Sequence, residues 1–286
     1  MSIIAPALAA CPAQLAAHLA TGAVQALLAE VRLTPKPGLV DAASNGCHHD
    51  LTLALMEASA AALFDTFFEL SLAAWHTPPS QQLREQLAAI GRDGERQMLR
   101  ATGGVNTHKG AIWALGLLVA ATASLATPAA LPQQVLATAG AIARFDDRSL
   151  PPTSRLTNGR RAQASYGIRS AREEAQAGFP ALRDVALPAW QAYASSESTT
   201  QQLNVLLALM ATVDDTCILH RSGRPVLRAV QRRAGALLAA GGVGAAKGFE
   251  SLAHLDAYLT RHWVSPGGSA DLLAATLFLQ QPAFTY

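Results

Sequence analysis

Eight consecutive residues, Gly103-Gly104-Val105-Asn106-Thr107-His108-Lys109-Gly110, gather a glycine pair, an amide, a hydroxyl, an imidazole and an ammonium. An uncharged apolar run beginning Ala111-Ile112-Trp113 follows directly. Polar donors at the mouth of an apolar helix suit an anion: backbone N–H groups are free there and the helix dipole is positive. Asn106, His108 and Lys109 are therefore candidate phosphate ligands, and His108 could also move a proton. A glycine turn with an ordinary Asn or Thr cap would account for Gly-Gly-Val-Asn-Thr alone. The added His-Lys pair favours a site.

Four further clusters carry groups of the same kind. Lys36 and Asp41 precede His48-His49-Asp50, where a carboxylate beside an imidazole could act as a base or bind a metal. The plainer reading makes Asp50 a helix cap. Arg169, Arg172, Glu173 and Glu174 share about one helical turn, a pattern that is usually a solvated ion-pair face. Asp214-Asp215 stands at the end of an apolar stretch, followed by His220-Arg221. Adjacent aspartates suit Mg²⁺, which takes oxygen ligands and bridges phosphates. Their plainer reading is a polar helix terminus, although a C-terminal helix dipole disfavours aspartate. Ser265-Pro266-Gly267-Gly268-Ser269-Ala270-Asp271 is a glycine turn into a helix. The lysines add a signal: the chain has only Lys36, Lys109 and Lys247 within 22 Lys and Arg residues. Lys36 and Lys109 stand out as compact point charges.

The elements that must position these groups are helical. From about Pro12 to Val31, Leu15, Leu19, Ala23, Ala26, Leu27 and Glu30 recur at helical spacing. Further helices are expected from an Asp50 cap to about Trp75, from a Ser80 cap through Met98, and after Lys109. Others are expected at 133–145, 170–176, 187–195, 201–213, 225–240, 248–263 and 271–279. The least regular stretch runs from Asp146 to Gly167 and holds Arg155, Arg160 and Arg161. No run alternates like a strand. The expected fold class is all-α: a single large helical domain over 1–286, with its site built from inter-helix loops.

Composition bounds the function. With 50% hydrophobic residues a large core can be buried, and a net charge of +2 argues against a nucleic-acid binder. Three scattered cysteines and no basic residue before Arg32 point to a cytoplasmic chain without a secretory signal. The uncharged run from Gly110 to Ala143 is divided by Pro128 and Pro132, so it reads as a buried central helix rather than a membrane span. No Walker A, GxGxxG or HExxH motif is present.

In order along the chain, TPKPGLVD, GCHHD, GGVNTHKGAI, YGIRSAREEAQAGFP, DDTCILHRSG and SPGGSADLLA resemble the triphosphoribosyl-dephospho-CoA synthase family from about Glu30 to Ala274. The resemblance implies an all-helical, Mg²⁺-using enzyme that joins ATP to 3′-dephospho-CoA and releases adenine. Its product is the precursor of the acyl-carrier-protein prosthetic group of citrate lyase or malonate decarboxylase, used next by a carrier-protein transferase. A homodimer is compatible with this reading; nucleic acid and membrane are not among the expected partners. The family's recurrent polar positions fall on Lys36, Asp41, His48, Asp50, Asn106, His108, Lys109, Arg172, Glu174, Asp215, Arg221 and Asp271. Three departures concern ligand-facing details: Thr157-Asn158-Gly159 lacks the histidine often found before the YG motif, Ser170 and Glu173 replace more usual glycines, and Ser222 interrupts a Gly-Gly.

That reaction needs a base for the attacking ribose hydroxyl, a proton donor for the leaving adenine, and neutralisation of two polyphosphates. The expected assignment gives acid–base work to Asp41, His108 and Glu174. Metal binding goes to Asp50, Asp214 and Asp215. Substrate and phosphate contacts go to Lys36, His48, Asn106, Lys109, Arg172, Arg221 and Asp271. Two rivals are a helical Mg²⁺-dependent nucleotide or ADP-ribosyl hydrolase and a non-catalytic scaffold that binds a carrier protein.

Overall fold

The computed structural model describes residues 11–126, 130–149 and 166–281. Arg155, Thr157, Asn158, Gly159, Arg160, Arg161 and Pro128 lie outside them. Among the described residues the secondary structure is helical, with no strand.

Helix α1 (Pro12–Arg32) starts on a proline whose fixed φ suits a first turn and whose missing N–H costs nothing there. Its core stripe, Leu15, Leu19, Ala23, Ala26 and Leu27, ends in buried Glu30, so an acid continues an apolar face. The Pro-rich link to Cys47 then leads to α2 (Leu53–Ala61) and α3 (Phe64–Ala74). Asp50 does not cap this segment. Thr52 does, its hydroxyl accepting from the Leu55 N–H at 3.2 Å, and the expected single helix breaks at Ala62-Leu63. Helix α4 (Gln81–Ala101) begins on the Ser80 cap as expected.

Helix α5 (Lys109–Leu125) is the centre of the molecule. It is buried from Ala111 to Ala123 apart from Trp113, and packs against α3, α4, α1 and two later helices. Alanine gives it propensity, and fully buried Leu115 and Leu118 each contribute about 1.5–3 kcal/mol by leaving water. Gly116 lets Leu70 of α3 close to 3.0 Å of where a Cβ would stand.

After α6 (Pro132–Ala143) comes the short α7 (Ala171–Gln176), capped by a reciprocal Ser170–Glu173 box. A π-helical turn (Ala181–Ala186) runs into α8 (Leu187–Ala192), ahead of α9 (Ser198–Thr212). Helix α10 (Thr216–Ala239) starts nine residues before the expected Pro225, and is kinked at Gly223, whose φ of 72° a side chain would strain. Arg221 therefore stands on a helix and not in a loop. Helices α11 (Gly248–His262) and α12 (Gly267–Leu279) follow, with Asp271 inside the first turns of α12. One continuous apolar core joins α1, α3, α5, α9 and α12. Among the described residues no single helix is long and apolar enough to cross a membrane; α9 and α10 qualify only as a pair bent by 59°.

The capping correction gives a test. Thr52→Ala should lower unfolding free energy by about 1 kcal/mol, and Asp50→Ala should change it by less than about 0.5 kcal/mol, both read by chemical denaturation. The opposite order would restore Asp50 as the cap.

Candidate active site

A cleft of about 1920 Å³ opens where the start of α5 meets α1, α4, α7, α10 and α12. Lys36, His48, Asn106, His108, Lys109, Arg172, Glu174, Asp214, Asp215, Arg221 and Asp271 all line it, although they are drawn from sequence segments far apart. Asp41 and Asp50 do not.

At its floor the carboxylate of Asp271 rests against the first turn of α5. A Cβ on Gly110 would stand 2.0 Å from Asp271 Oδ2, so only glycine leaves room for that carboxylate. Burial raises the Asp271 carboxyl well above the ordinary range, the nearby Glu30 and Asp215 raise it further, and the Ala111 N–H offsets this in part. The anion pole of α5 is thus already facing an acid of the chain itself. Asp271 was expected as a substrate ligand; by charge it repels a phosphate unless a cation stands between them.

Asp215 is buried and ties two helices together. Its Oδ1 accepts from Cys217 N–H at 2.9 Å, capping α10, and its Oδ2 accepts from Ser269 N–H at 2.9 Å and Oγ at 3.1 Å. The dipole objection to this aspartate disappears, because it stands at the start of a helix. Burial raises its carboxyl pKa despite these bonds. Lys36 is buried and bound to Glu30, Nζ lying 2.5 Å from Oε1 and 2.6 Å from the backbone oxygen. It neutralises a carboxylate of the floor instead of projecting as a free phosphate ligand. Glu30, Asp215 and Asp271 bring three acids to the floor, of which Glu30 alone is paired with the ammonium. Such an all-oxygen set fits a hard divalent cation. Among the described residues no three ligand side chains already converge on one point, so a cation would complete its shell with water or ligand phosphates.

Among the described residues, His108 is buried with one ring nitrogen bonded and the other free. Its Nδ1 is 2.8 Å from Ser59 Oγ, which is itself 2.5 Å from Thr107 Oγ1, while Nε2 is buried without a partner. Burial, aided by Lys36, pushes its pKa down to about 4, so the ring is neutral at pH 7.

Other expected residues have different work. Asp41 is removed from acid–base chemistry: Oδ2 accepts from Lys36 N–H at 2.7 Å, and Oδ1 accepts from Ala43 and Ser44 N–H at 2.8 Å each. It staples the turn that buries Lys36. Asp50, its side chain 65% exposed, lies 3.7 Å from His48 Nδ1 and outside the cleft, too far into solvent to share a metal with Asp215. Asp214 accepts from Gln231 at 3.2 Å and pairs with Arg228 at 3.5 Å. Glu174 is also engaged, Oε1 accepting from Ala181 N–H at 2.6 Å and Oε2 from Arg169 at 3.3 Å. Its carboxylate fixes the turn after α7, which weakens its case as an acid or base.

Around the rim, Asn106 Oδ1 accepts from Lys109 N–H at 3.2 Å and Lys109 Nζ pairs with Glu95 at 2.7 Å. Arg172 pairs with Asp146. Arg221 donates to Cys47 O at 3.0 Å and approaches His48 Nδ1 at 3.5 Å; burial, then Arg221, lowers the His48 pKa. Glu30 and Ser59 join the site from outside the expected set. Glu30 carried a usable signal, an acid on the apolar stripe of α1. Ser59, a serine within an alanine-rich helix, carried none.

The histidine geometry predicts a titration. The His108 pKa is depressed from 6.5, so the stability it contributes is complete above pH 6.5 and is lost as pH falls towards 4. In a heteronuclear NMR titration its ring should stay neutral to about pH 5; a midpoint near 6.5 would mean that the ring is solvated.

The chain matches the model of the CitG family, ATP:dephospho-CoA triphosphoribosyl transferase, over residues 16–283. It is 48% identical over 268 residues to the 2-(5''-triphosphoribosyl)-3'-dephosphocoenzyme-A synthase of Klebsiella pneumoniae, covering 93% of this chain and 94% of that one. Proteins named probable synthases of the same kind are 48% identical in Pseudomonas syringae pv. syringae, over 94% of this chain and 92% of that one, and 46% identical in Azotobacter vinelandii, over 93% and 92%. No solved structure gives a match. With the family model and relatives of this identity both spanning nearly the whole length, the chain belongs to the triphosphoribosyl-dephospho-CoA synthase family of ATP-dependent transferases.

Proposed function

We propose that this chain transfers the triphosphoribosyl group of ATP to the ribose 2′-hydroxyl of 3′-dephospho-CoA, releasing adenine, with Mg²⁺ as cofactor. The observation that carries the reading is the buried Glu30–Asp215–Asp271 floor in a cleft lined by cations. Its volume of about 1920 Å³ exceeds the roughly 300–1,000 Å³ of an ordinary small-molecule pocket, leaving room for two nucleotides.

The chemistry sets what the residues must do. The 2′-oxygen attacks C1′ of the ATP ribose as the bond to adenine N9 breaks; the hydroxyl gives up a proton and adenine gains one. Positive charge grows on the ribose ring in passing. A buried carboxylate suits both tasks: it is a stronger base than a solvated one and it opposes the growing charge. Asp271 is our candidate, in place of Asp41, whose oxygens are occupied by backbone N–H groups, and Glu174, held by Ala181 N–H and Arg169. Neutral His108, with Nε2 free, would orient the incoming hydroxyl or the leaving base. Asp215 would hold Mg²⁺ through the Oδ1 lone pair that its bonds to Cys217 and Ser269 leave free, with the expected Asp214 beside it, leaving Asp271 as the base. When bound, the ion screens phosphate oxygens from the acidic floor. Lys109, Arg172 and Arg221 at the rim would meet phosphates, exchanging present partners for substrate.

In the cytoplasm, the product would serve a carrier-protein transferase, which would install it on the acyl carrier protein of citrate lyase or malonate decarboxylase. Mass spectrometry of a reaction of ATP, dephospho-CoA and Mg²⁺ should detect free adenine and the triphosphoribosyl adduct in equal amounts. CoA should be a poor acceptor, because its 3′-phosphate adds charge and bulk beside the attacking hydroxyl. Free ribose triphosphate without adduct, or undiminished turnover in EDTA, would contradict the proposal.

Asp271→Asn separates chemistry from folding. It keeps an acceptor for the α5 terminus but removes the charge, and should cut kcat at least about 100-fold, the lower end for losing an acid–base group. Near-normal kcat would remove Asp271 from the mechanism.

A further inference from the structure

On the α4 side of the cleft lies an arginine that no part of the reading above uses. Arg84 is 7% exposed, lines the cleft, and has a buried Nε with no partner. Among the described residues its guanidinium donates no hydrogen bond. Its neighbours Arg92 and Arg172 are each matched, by Asp147 and Asp146. Arg84 instead stands over Trp113, its Cζ 5.1 Å from the ring centroid. That indole is fixed in turn, its Nε1 donating to Ala171 O at 3.1 Å at the start of α7. A planar cation is thus held on an aromatic plate, with N–H groups unspent, on the wall of an open cleft.

Leaving such a group buried and unpaired is costly, and burial pulls the Arg84 pKa below its usual value. A site held in this condition fits an anion that arrives with the substrate. The cation–π contact holds the guanidinium at the cleft wall, and its planar fork can grip two phosphate oxygens at once.

We propose that Arg84, held over Trp113, is a binding residue for a polyphosphate of the substrates. This deepens the reading of the cleft as a two-nucleotide site and rests on it for the identity of the phosphate. The chemistry is shared by two sources, the triphosphate of ATP and the diphosphate of dephospho-CoA.

The test uses the full chain and the variants R84Q and R84K, with inorganic tripolyphosphate and pyrophosphate as calorimetric probes and thermal melts alongside. Loss of a charge-assisted phosphate contact weakens binding by about ten- to a hundredfold. R84Q should lose at least tenfold affinity for one or both probes, and R84K should recover only part of it. R84Q should melt no lower than wild type, because a buried unpaired charge has been removed. In turnover assays KM should rise for the nucleotide whose phosphate Arg84 holds, with kcat changed less than about threefold: ATP alone names the triphosphate, and dephospho-CoA alone the diphosphate. Unchanged affinity and KM in both variants, a wild type that binds neither probe, or a lower melting temperature with intact binding would overturn the proposal; the last would make Arg84 a prop for Trp113. If wild type binds the probes and R84Q does not, yet no triphosphoribosyl adduct forms, the reaction assignment fails while the phosphate site stands.

Discussion

The carboxylate of Asp271 sits where a side chain at residue 110 would otherwise be, and most of the site depends on that exchange of space. Alanine would place a Cβ 2.0 Å from Oδ2. Glycine in a helix normally costs about 1 kcal/mol relative to alanine, and here it opens the first turn of a helix buried along most of its length. The acid it admits is itself unfavourable: buried, raised in pKa, and facing Glu30 and Asp215. Folding therefore brings together like charges, and the one ion pair among them is Lys36 with Glu30. This is the signature of a site whose geometry serves a ligand at the expense of stability.

The rest of the architecture keeps that arrangement from relaxing. Lys36 cannot swing away, because Asp41 accepts its backbone N–H and holds the following turn closed. Asp215 cannot rotate without uncapping α10 and releasing Ser269 of α12. Asp271 stands two residues after Ser269, so the clamp that starts α12 also aims the acid at α5. Several side chains expected to meet substrate are supports of this kind. Their polar atoms are spent on backbone, which is why they look chemical in the sequence and structural in the fold.

What could be read from the sequence follows the same division. Helical periodicity, the Ser80 cap and the Pro12 start depend on local physics, and they were legible. So was the gathering of distant polar loops around the start of α5. The break between α2 and α3 was not, because Ala60 to Phe64 is apolar through it and no Gly or Pro marks the turn. Roles within the site were less legible still. Asp41 and Asp271 are both single acids near glycine turns; only the fold shows that one meets three backbone N–H groups while the other meets two carboxylates. Glu30 was visible as an acid on an apolar stripe. Arg84 was hidden, since an arginine beside Leu83 on an amphipathic helix reads as a solvated edge.

The central claim is that Asp271 is held at an energetic cost in the free protein. For a group whose folded pKa is raised, the native state binds more protons than the unfolded one above the unfolded pKa, so stability falls as pH rises. Asp271→Asn removes this dependence. The direct measurement is the unfolding free energy of wild type and Asp271→Asn across pH 4 to 8 without nucleotide or Mg²⁺. The account predicts that the variant gains on wild type steadily as pH rises from the ordinary carboxylate range. A difference independent of pH, or a wild type that gains on the variant, would mean that the carboxylate is comfortable where it lies and would contradict the account.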